Sequence, residues 1–111
     1  MVQSERRLKQ FVAVEIIENY ILDVCNKSKG DYVTLRFRDM VTKFVTKIKQ
    51  FGISEALLRE MWKRYWNNRL RQIVDWQKHR GVIIARRDIC TEVEQLRQLR
   101  IILDTVFKPL E

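Results

Sequence analysis

Residues 69–88 read RLRQIVDWQKHRGVIIARRD, and the fold depends on how this stretch is interpreted. Its first half has apolar residues at helical spacing, and a glycine then interrupts it at position 81. Glycine commonly ends helices. The β-branched run that follows at 82–84 is typical of a short strand. We therefore predict a helix that ends at Gly81, a short strand, and an exposed basic connection at Arg86 and Arg87.

Upstream of Gly81, this helix is predicted to begin at Ser54, whose side chain can cap the first turn. A rotation of 100° per residue separates an apolar face from a polar one. We interpret the apolar face as core rather than as a surface that stacks on bases; its residues are Leu58, Trp62, Tyr65, Trp66, Leu70, Ile73 and Trp76. A break near Asn67 and Asn68 is an alternative, because asparagine favours caps and turns.

The opposite face of the predicted helix carries an excess of basic residues. Exposed helices usually interleave acids with bases, but Asp75 is the only acid in this set: Lys63, Arg64, Asn67, Asn68, Arg71, Gln72, Asp75, Lys78 and His79. Lysine and arginine suit phosphates, and Arg, Asn and Gln also suit base edges in a major groove. The pattern favours a nucleic-acid interface, with an ordinary solvated face as the alternative.

The remainder of the chain is predicted to be mostly helical, with minor β structure, in a single domain over 1–111. Helical periodicity covers residues 4–27, 39–52 and 91–107. Between the first two, DYVTLRFRD alternates with a period of two and predicts a strand, although it could also start a helix. After residue 87, ICTEV either returns as a second hairpin strand or is capped by Thr91 and Glu94 at the start of the last helix.

The last helix has an apolar stripe at steps of three and four residues, formed by Leu96, Leu99, Ile102, Leu103 and Val106. Such a stripe can pack on its own core or against a second copy of the chain. On a monomer it would be an exposed apolar patch, which favours a homodimer.

Charge and composition narrow the class of protein. The net charge is +8, and residues 36–87 alone carry fourteen Lys or Arg against four Asp or Glu. A basic centre of this kind is expected to face a polyanion. No apolar run is long enough to span a membrane, and the sequence contains no metal-ligand spacing, phosphate loop or nucleophile–base motif. We expect neither an enzyme nor a bound metal or cofactor.

The two cysteines, Cys25 and Cys90, are isolated from one another within apolar surroundings. No secretory signal precedes them. Isolated cysteines without metal spacing are typical of buried, reduced thiols in a cytoplasmic protein, and that is what we expect here.

The order of the predicted elements resembles the winged helix-turn-helix family, in particular small DNA-binding proteins of archaea and their mobile elements. The resemblance covers residues 5–90 and is carried by YVTLR, RDMVTKFVTKIKQFG, the turn FGIS and VIIARRD. WQKHRGVI is similar to the family's last recognition-helix turn entering the wing. The resemblance implies that DNA faces Asn67, Asn68, Arg71, Gln72 and Lys78, with Arg86 and Arg87 on the wing. Two departures are the length of the third helix and the absence of a clear second wing strand.

Two hypotheses follow. The first is a homodimeric protein that binds duplex DNA, as a transcription regulator or a replication or partition accessory, with lysines and arginines on phosphates. The second is an all-helical interaction protein whose basic centre binds RNA or an acidic partner within a nucleoprotein assembly. A strand pair between 32–36 and 82–85 would favour the first, and a continuous helix through 31–51 the second.

Overall fold

The chain forms five α-helices and a small antiparallel sheet, within the part that the structure describes. The structure is a computed structural model that describes the backbone of residues 2–107 and the side chains of residues 4–103. The elements are α1 (Val2–Lys27), β1 (Tyr32–Arg36), α2 (Phe37–Lys43), α3 (Val45–Gln50), α4 (Glu55–Asn67), a 3₁₀ turn (Leu70–Gln72), β2 (Ile73–Gln77), β3 (Val82–Arg86) and α5 (Asp88–Phe107). The expected fold class, mostly α with minor β, is confirmed.

The sheet has the strand order β1–β3–β2, so β3 is its central strand. β1 pairs with β3 over its whole length, from Tyr32 opposite Arg86 to Arg36 opposite Val82. Inward-facing Val33, Leu35 and Ile83 are almost fully buried. The strand predicted at DYVTLRFRD is thus confirmed, and residues 31–51 are not one continuous helix.

The long helix predicted over residues 54–80 is wrong beyond Asn67. α4 ends there, and β2 pairs with β3 as a hairpin. The register is shifted between Ile73 and Asp75, which is a β-bulge that leaves Val74 as the extra residue. The bulge puts Ile73 and Trp76 on the same face of the strand although they are three residues apart. This spacing imitates helical periodicity, which is why the sequence pattern was misleading.

Gly81 is part of the hairpin turn between β2 and β3 and does not end a helix. Gly81 has φ +65°, a left-handed conformation that favours glycine. Its carbonyl accepts a hydrogen bond from Phe37 N–H at 2.9 Å, and a Cβ atom on Gly81 would lie 2.8 Å from the Cβ of Phe37. The segment WQKHRGVI is therefore the hairpin itself, which corrects its interpretation as the end of a helix.

Several element boundaries also differ from expectation. The helix predicted over 39–52 is divided at Phe44, whose φ of −109° and ψ of 23° interrupt it. α2 begins at Phe37, two residues before the predicted start, so Asp39 lies in its first turn. α5 begins at Asp88, immediately after β3, so neither a strand at ICTEV nor a cap at Thr91 forms. The cap at Ser54 is confirmed, because its Oγ accepts from Leu57 N–H at 3.1 Å.

The expectation of two reduced thiols is wrong. Cys25, near the end of α1, forms a disulfide with Cys90 in the first turn of α5, with the Cα atoms 6.0 Å apart. The cysteines are 65 residues apart in sequence, and only the packing of α1 against α5 brings them together. A crosslink here fixes the two longest helices to each other.

The core is built around aromatic residues of α4. Trp62 lies edge-on to both Phe37 and Trp66, with ring centroids 5.7 Å apart in each pair. The buried positions Leu58, Trp62, Tyr65 and Trp66 agree with the predicted apolar face. Leu70 is instead exposed, and Ile73 and Trp76 are half-buried and pack against the core from β2.

Tyr20 connects α1 to the junction between β1 and α2. Its hydroxyl accepts from Arg36 N–H at 2.8 Å and donates to Asp39 Oδ2 at 3.0 Å. Burial raises the pKa of the Tyr20 hydroxyl, which therefore stays protonated as a donor. Among the described residues, no helix combines the length and apolar character needed to cross a membrane.

Replacement of Trp66 by Ala should destabilise the fold by about 3–5 kcal/mol, the usual loss for a buried tryptophan. Trp66 has no exposed surface. Urea unfolding followed by circular dichroism measures the change. Val74→Ala is the control, since that side chain is 56% exposed, and a change within about 0.5 kcal/mol is expected there. Equal stability of Trp66→Ala and the parent would show that α4 is oriented differently.

Candidate nucleic-acid interface

A cleft opens between α4 and the β2–β3 hairpin, with a volume of about 360 Å³. It is lined by Phe37, Arg59, Trp62, Lys63, Asn67, Trp76, Lys78, His79 and Gly81; we call it the α4–hairpin cleft. Aromatic rings come from three elements, and the basic groups come from α4 and the hairpin turn. The lining contains no carboxylate, so the cleft is suited to anions and to planar groups.

Two aromatic rings of the cleft carry a cation over their faces. Lys78 Nζ lies 4.7 Å from the centre of the Trp76 ring, and the Arg59 guanidinium lies 4.6 Å from that of Phe37. Glu55 holds Arg59 in place at 3.2 Å. Hydrogen bonds from Arg38 and Arg59 lower the pKa of the Glu55 carboxyl group, which stays charged.

Several basic side chains next to the cleft have no acidic partner within the described residues. Lys63 is exposed on α4, and Lys78 and Arg80 are exposed on the hairpin turn. None of these three side chains forms an ion pair with a described residue. Arg64 differs, because it lies 3.7 Å from Glu60. Uncompensated positive charge is therefore present on both sides of the cleft.

Six of the predicted site residues divide between two places. Lys63, Asn67 and Lys78 line the α4–hairpin cleft, whereas Asn68, Arg71 and Gln72 border a separate depression. Asn67 borders both. The second depression also includes Glu92 of α5. The predicted helical face is thus wrong as a single surface, because the chain turns after α4 and carries Arg71 and Gln72 onto the 3₁₀ turn.

Arg86 and Arg87 do not lie at the tip of the hairpin. Arg86 is the last residue of β3 and Arg87 follows it, at the end opposite the turn and about 13 Å or more away at the usual rise of a strand. Arg86 is exposed and lies 3.9 Å from Asp88. The sequence predicted an exposed basic connection after the strand, and Arg86 is exposed there, but the turn of the β2–β3 hairpin is formed by residues 78–81 at the opposite end.

Arg87 has a structural role. Its guanidinium donates to the carbonyl oxygen of Gly30, to that of Cys25 at 3.4 Å and to Ser28 Oγ at 3.1 Å, and its backbone N–H donates to Asp31 O at 2.9 Å. Arg87 thereby satisfies acceptors where α1 ends. A side chain with these partners is not free to bind phosphate.

Sequence reasoning missed Arg59, Arg80 and Trp76 as candidate site residues, and it placed His79 on the polar face without naming it as a contact. A signal for the turn residues was available: KHRG is a basic four-residue segment between two β-forming runs, with a glycine at its end. The spacing of Ile73 and Trp76, which results from the bulge, resembles that of a helix and obscured this signal.

Within the described residues, no group of three or more His, Cys, Asp or Glu is placed to hold a metal ion. No family model, curated protein or solved structure matches the chain. The chemistry of the surface itself, which combines cations, amides and the half-buried Trp76 ring, is therefore the basis for assigning a function.

Replacement of Arg87 by Ala should lower stability by about 1–3 kcal/mol, because it leaves carbonyl acceptors at the end of α1 without their charged donor. Arg86→Ala removes the same charge one residue away and should change stability by less than about 0.5 kcal/mol. Thermal unfolding of the two variants makes the comparison. A pair of identical melting curves would rule out the structural role of Arg87.

Proposed function

We propose that this protein binds duplex DNA through a winged-helix-like domain, with α4 as the recognition helix and the β2–β3 hairpin as the wing. The observation that carries the proposal is the pairing of β1 with β3. With this pairing the elements follow the order helix, strand, helices, hairpin, which supports the proposal although the hairpin includes residues that the resemblance assigned to the recognition helix. An all-helical interaction protein would have a helix where β1 lies.

The exposed surface of α4 supports its role as the helix that enters the major groove. α4 has 13 residues and is about 20 Å long at 1.5 Å per residue. Lys63, Arg64, Asn67 and Asn68 are exposed on it or at its C-terminal end. They combine groups that bind phosphates with amides that can pair with base edges.

The hairpin turn supports contacts with the DNA backbone. Lys78, His79 and Arg80 are exposed together in the turn, and lysine or arginine there would neutralise phosphates next to the groove. Arg71 and Gln72 lie off α4 and are proposed as flanking contacts. Arg86 is proposed only as a peripheral one, and Arg87 is omitted because its hydrogen bonds are used within the fold.

A homodimer is part of the proposal. Several apolar side chains on the adjoining α1 and α5 are 45–57% exposed. They are Leu8 and Phe11 of α1 and Leu99, Ile102 and Leu103 of α5. Leu96 is half-buried, and the side chain of Val106 lies outside those described. A second copy covering this α1–α5 face would remove apolar surface from water and pair two α4 helices for two half-sites.

The biological setting follows from the proposed activity. A protein that binds duplex DNA without a catalytic site fits a transcription regulator or a replication or partition accessory in the cytoplasm. The disulfide is unusual for a protein in that compartment, except in hyperthermophiles, where intracellular disulfides are common.

Replacement of Lys78 and Arg80 by Ala should weaken binding to every duplex and reduce the salt slope by about one unit for each lost phosphate contact. Asn68→Ala should cost about 1–3 kcal/mol on a preferred site and less on random DNA. Lys29→Ala, an exposed basic residue in the α1–β1 loop, is the control for loss of charge alone.

Salt-titrated fluorescence anisotropy on preferred duplex, random duplex, single strands and RNA provides the measurement. Undiminished affinity of the Lys78 and Arg80 variant for duplex DNA would refute the proposal that the β2–β3 hairpin contacts DNA as a wing. Tighter binding to RNA than to any duplex would favour a subunit of a nucleoprotein assembly.

Introduction of Asp at Leu99 should convert a dimer into monomers, because a buried unpaired carboxylate is costly in an interface. Sedimentation velocity at micromolar concentration measures the change. Arg97→Asp, exposed on the same helix, is a control for charge on α5. A parent protein that sediments as a monomer would remove the dimer from the proposal and leave DNA binding in place.

A further inference from the structure

We propose that the α4–hairpin cleft accommodates one unpaired nucleotide, with its base against Trp76 and its phosphate among the basic groups of the cleft. The inference rests on the proposed function and narrows it to DNA that presents an unpaired nucleotide beside a duplex. The same chemistry is present in a free nucleotide, which the experiment below distinguishes.

Trp76 provides the stacking surface. It is half-buried on the inward face of β2 and lines the cleft, with Trp62 and Phe37 forming more deeply buried parts of the lining. A tryptophan that fills a core is usually covered by other side chains, whereas one face of this ring is covered by the ammonium group of the exposed Lys78 at 4.7 Å. A base can take that place, because base–aromatic stacking is favourable for every base.

The size of the cleft fits a single ring system. A volume of about 360 Å³ lies near the lower end of the ~300–1,000 Å³ typical of small-ligand pockets. A folded peptide segment or an extended ligand would need more space. A phosphate group alone would leave the aromatic part of the cleft unused.

The polar groups of the cleft match the other parts of a nucleotide. Asn67 offers both a donor and an acceptor to the edge of a base. Lys63, Lys78 and His79 surround the same space, and the two lysines can neutralise a phosphate. Since the lining contains no carboxylate, nothing in the cleft repels an anion.

A base in an intact duplex cannot enter the cleft, because stacking and pairing hold it in the helix. Extrusion of a base costs energy, and the cost is least when the base is already unpaired. The cleft should therefore favour DNA with a bulge, a mismatch or a frayed end over the same DNA fully paired.

The test compares a fully paired duplex with one containing a single bulged 2-aminopurine, and with free adenosine monophosphate. The parent protein should bind the bulged duplex about tenfold more tightly than the paired one and quench its 2-aminopurine fluorescence. Trp76→Leu should lose both effects, and Trp76→Phe should keep part of them. Val74→Ala, on the exposed face of the same strand, should behave as the parent does.

A second variant protects the test against misfolding. Asn67 is exposed at the end of α4, so Asn67→Leu narrows the cleft without changing the core. It should reduce the ratio of bulged to paired affinity even if Trp76→Leu fails to fold. The measured quantity is the ratio of the affinity for bulged duplex to that for paired duplex. The affinity for either DNA alone is not used, because Asn67 is also a proposed contact to paired DNA.

The outcomes separate the two proposals. Equal affinity for bulged and paired duplex, with no quenching, overturns the nucleotide cleft and leaves duplex binding in place. If neither DNA binds but adenosine monophosphate binds in a manner that Trp76→Leu abolishes, DNA binding is refuted and the cleft is a site for a free nucleotide. Binding of none of the three refutes both proposals.

Discussion

The central position of β3 is the constraint on which the rest of the structure depends. β3 pairs with β1 on one side and with β2 on the other, and its inward-facing residues Ile83 and Ala85 have no exposed surface. β1 leads directly into α2, and β2 follows α4 through a short turn. Because β3 pairs with both strands, it fixes the position of the hairpin relative to α2 and α4. The geometry of the α4–hairpin cleft is a consequence of that pairing.

Both ends of β3 are held by contacts outside the sheet. At its start, the Gly81 carbonyl accepts from Phe37 N–H, and the close approach there leaves no room for a Cβ atom. At its end, Arg87 binds acceptors where α1 ends, next to the Cys25–Cys90 disulfide. A strand held at both ends keeps the hairpin turn at a fixed distance from α4, as a binding surface made from two elements requires.

The charges of the protein are arranged around this rigid centre. Acids that lie near bases on α1, α2 and α4 form ion pairs, such as Asp23 with Lys43 at 3.1 Å and Glu55 with Arg38 at 3.0 Å. Hydrogen bonds from Lys43 and Lys27 lower the pKa of the Asp23 carboxyl group, which stays ionised. The bases without such partners include Lys63 and those of the hairpin turn. The function we propose rests on the unpaired bases that lie beside the half-buried Trp76 ring.

The sequence by itself determined the elements whose signals are local. Alternation of residues predicted β1, and the capping hydroxyl predicted the start of α4 at Ser54. Helical spacing identified Trp62 and Trp66 as core, and the basic character of residues 36–87 was evident from composition. The first three signals depend on near neighbours in the chain and the last on composition alone, so the sequence is sufficient to find each of them.

Only the tertiary structure decided the rest. Ile73 and Trp76 have a spacing that suits a helix and a bulged strand equally well, and pairing with β3 selects the strand. Cys25 and Cys90 lack any sequence relation that predicts a disulfide, and the packing of α1 on α5 provides it. In the sequence, Arg87 resembles a DNA-binding residue. In the structure, its guanidinium binds acceptors at the end of α1. In each case the deciding partner lies far away in sequence, and local periodicity contains no information about such a partner.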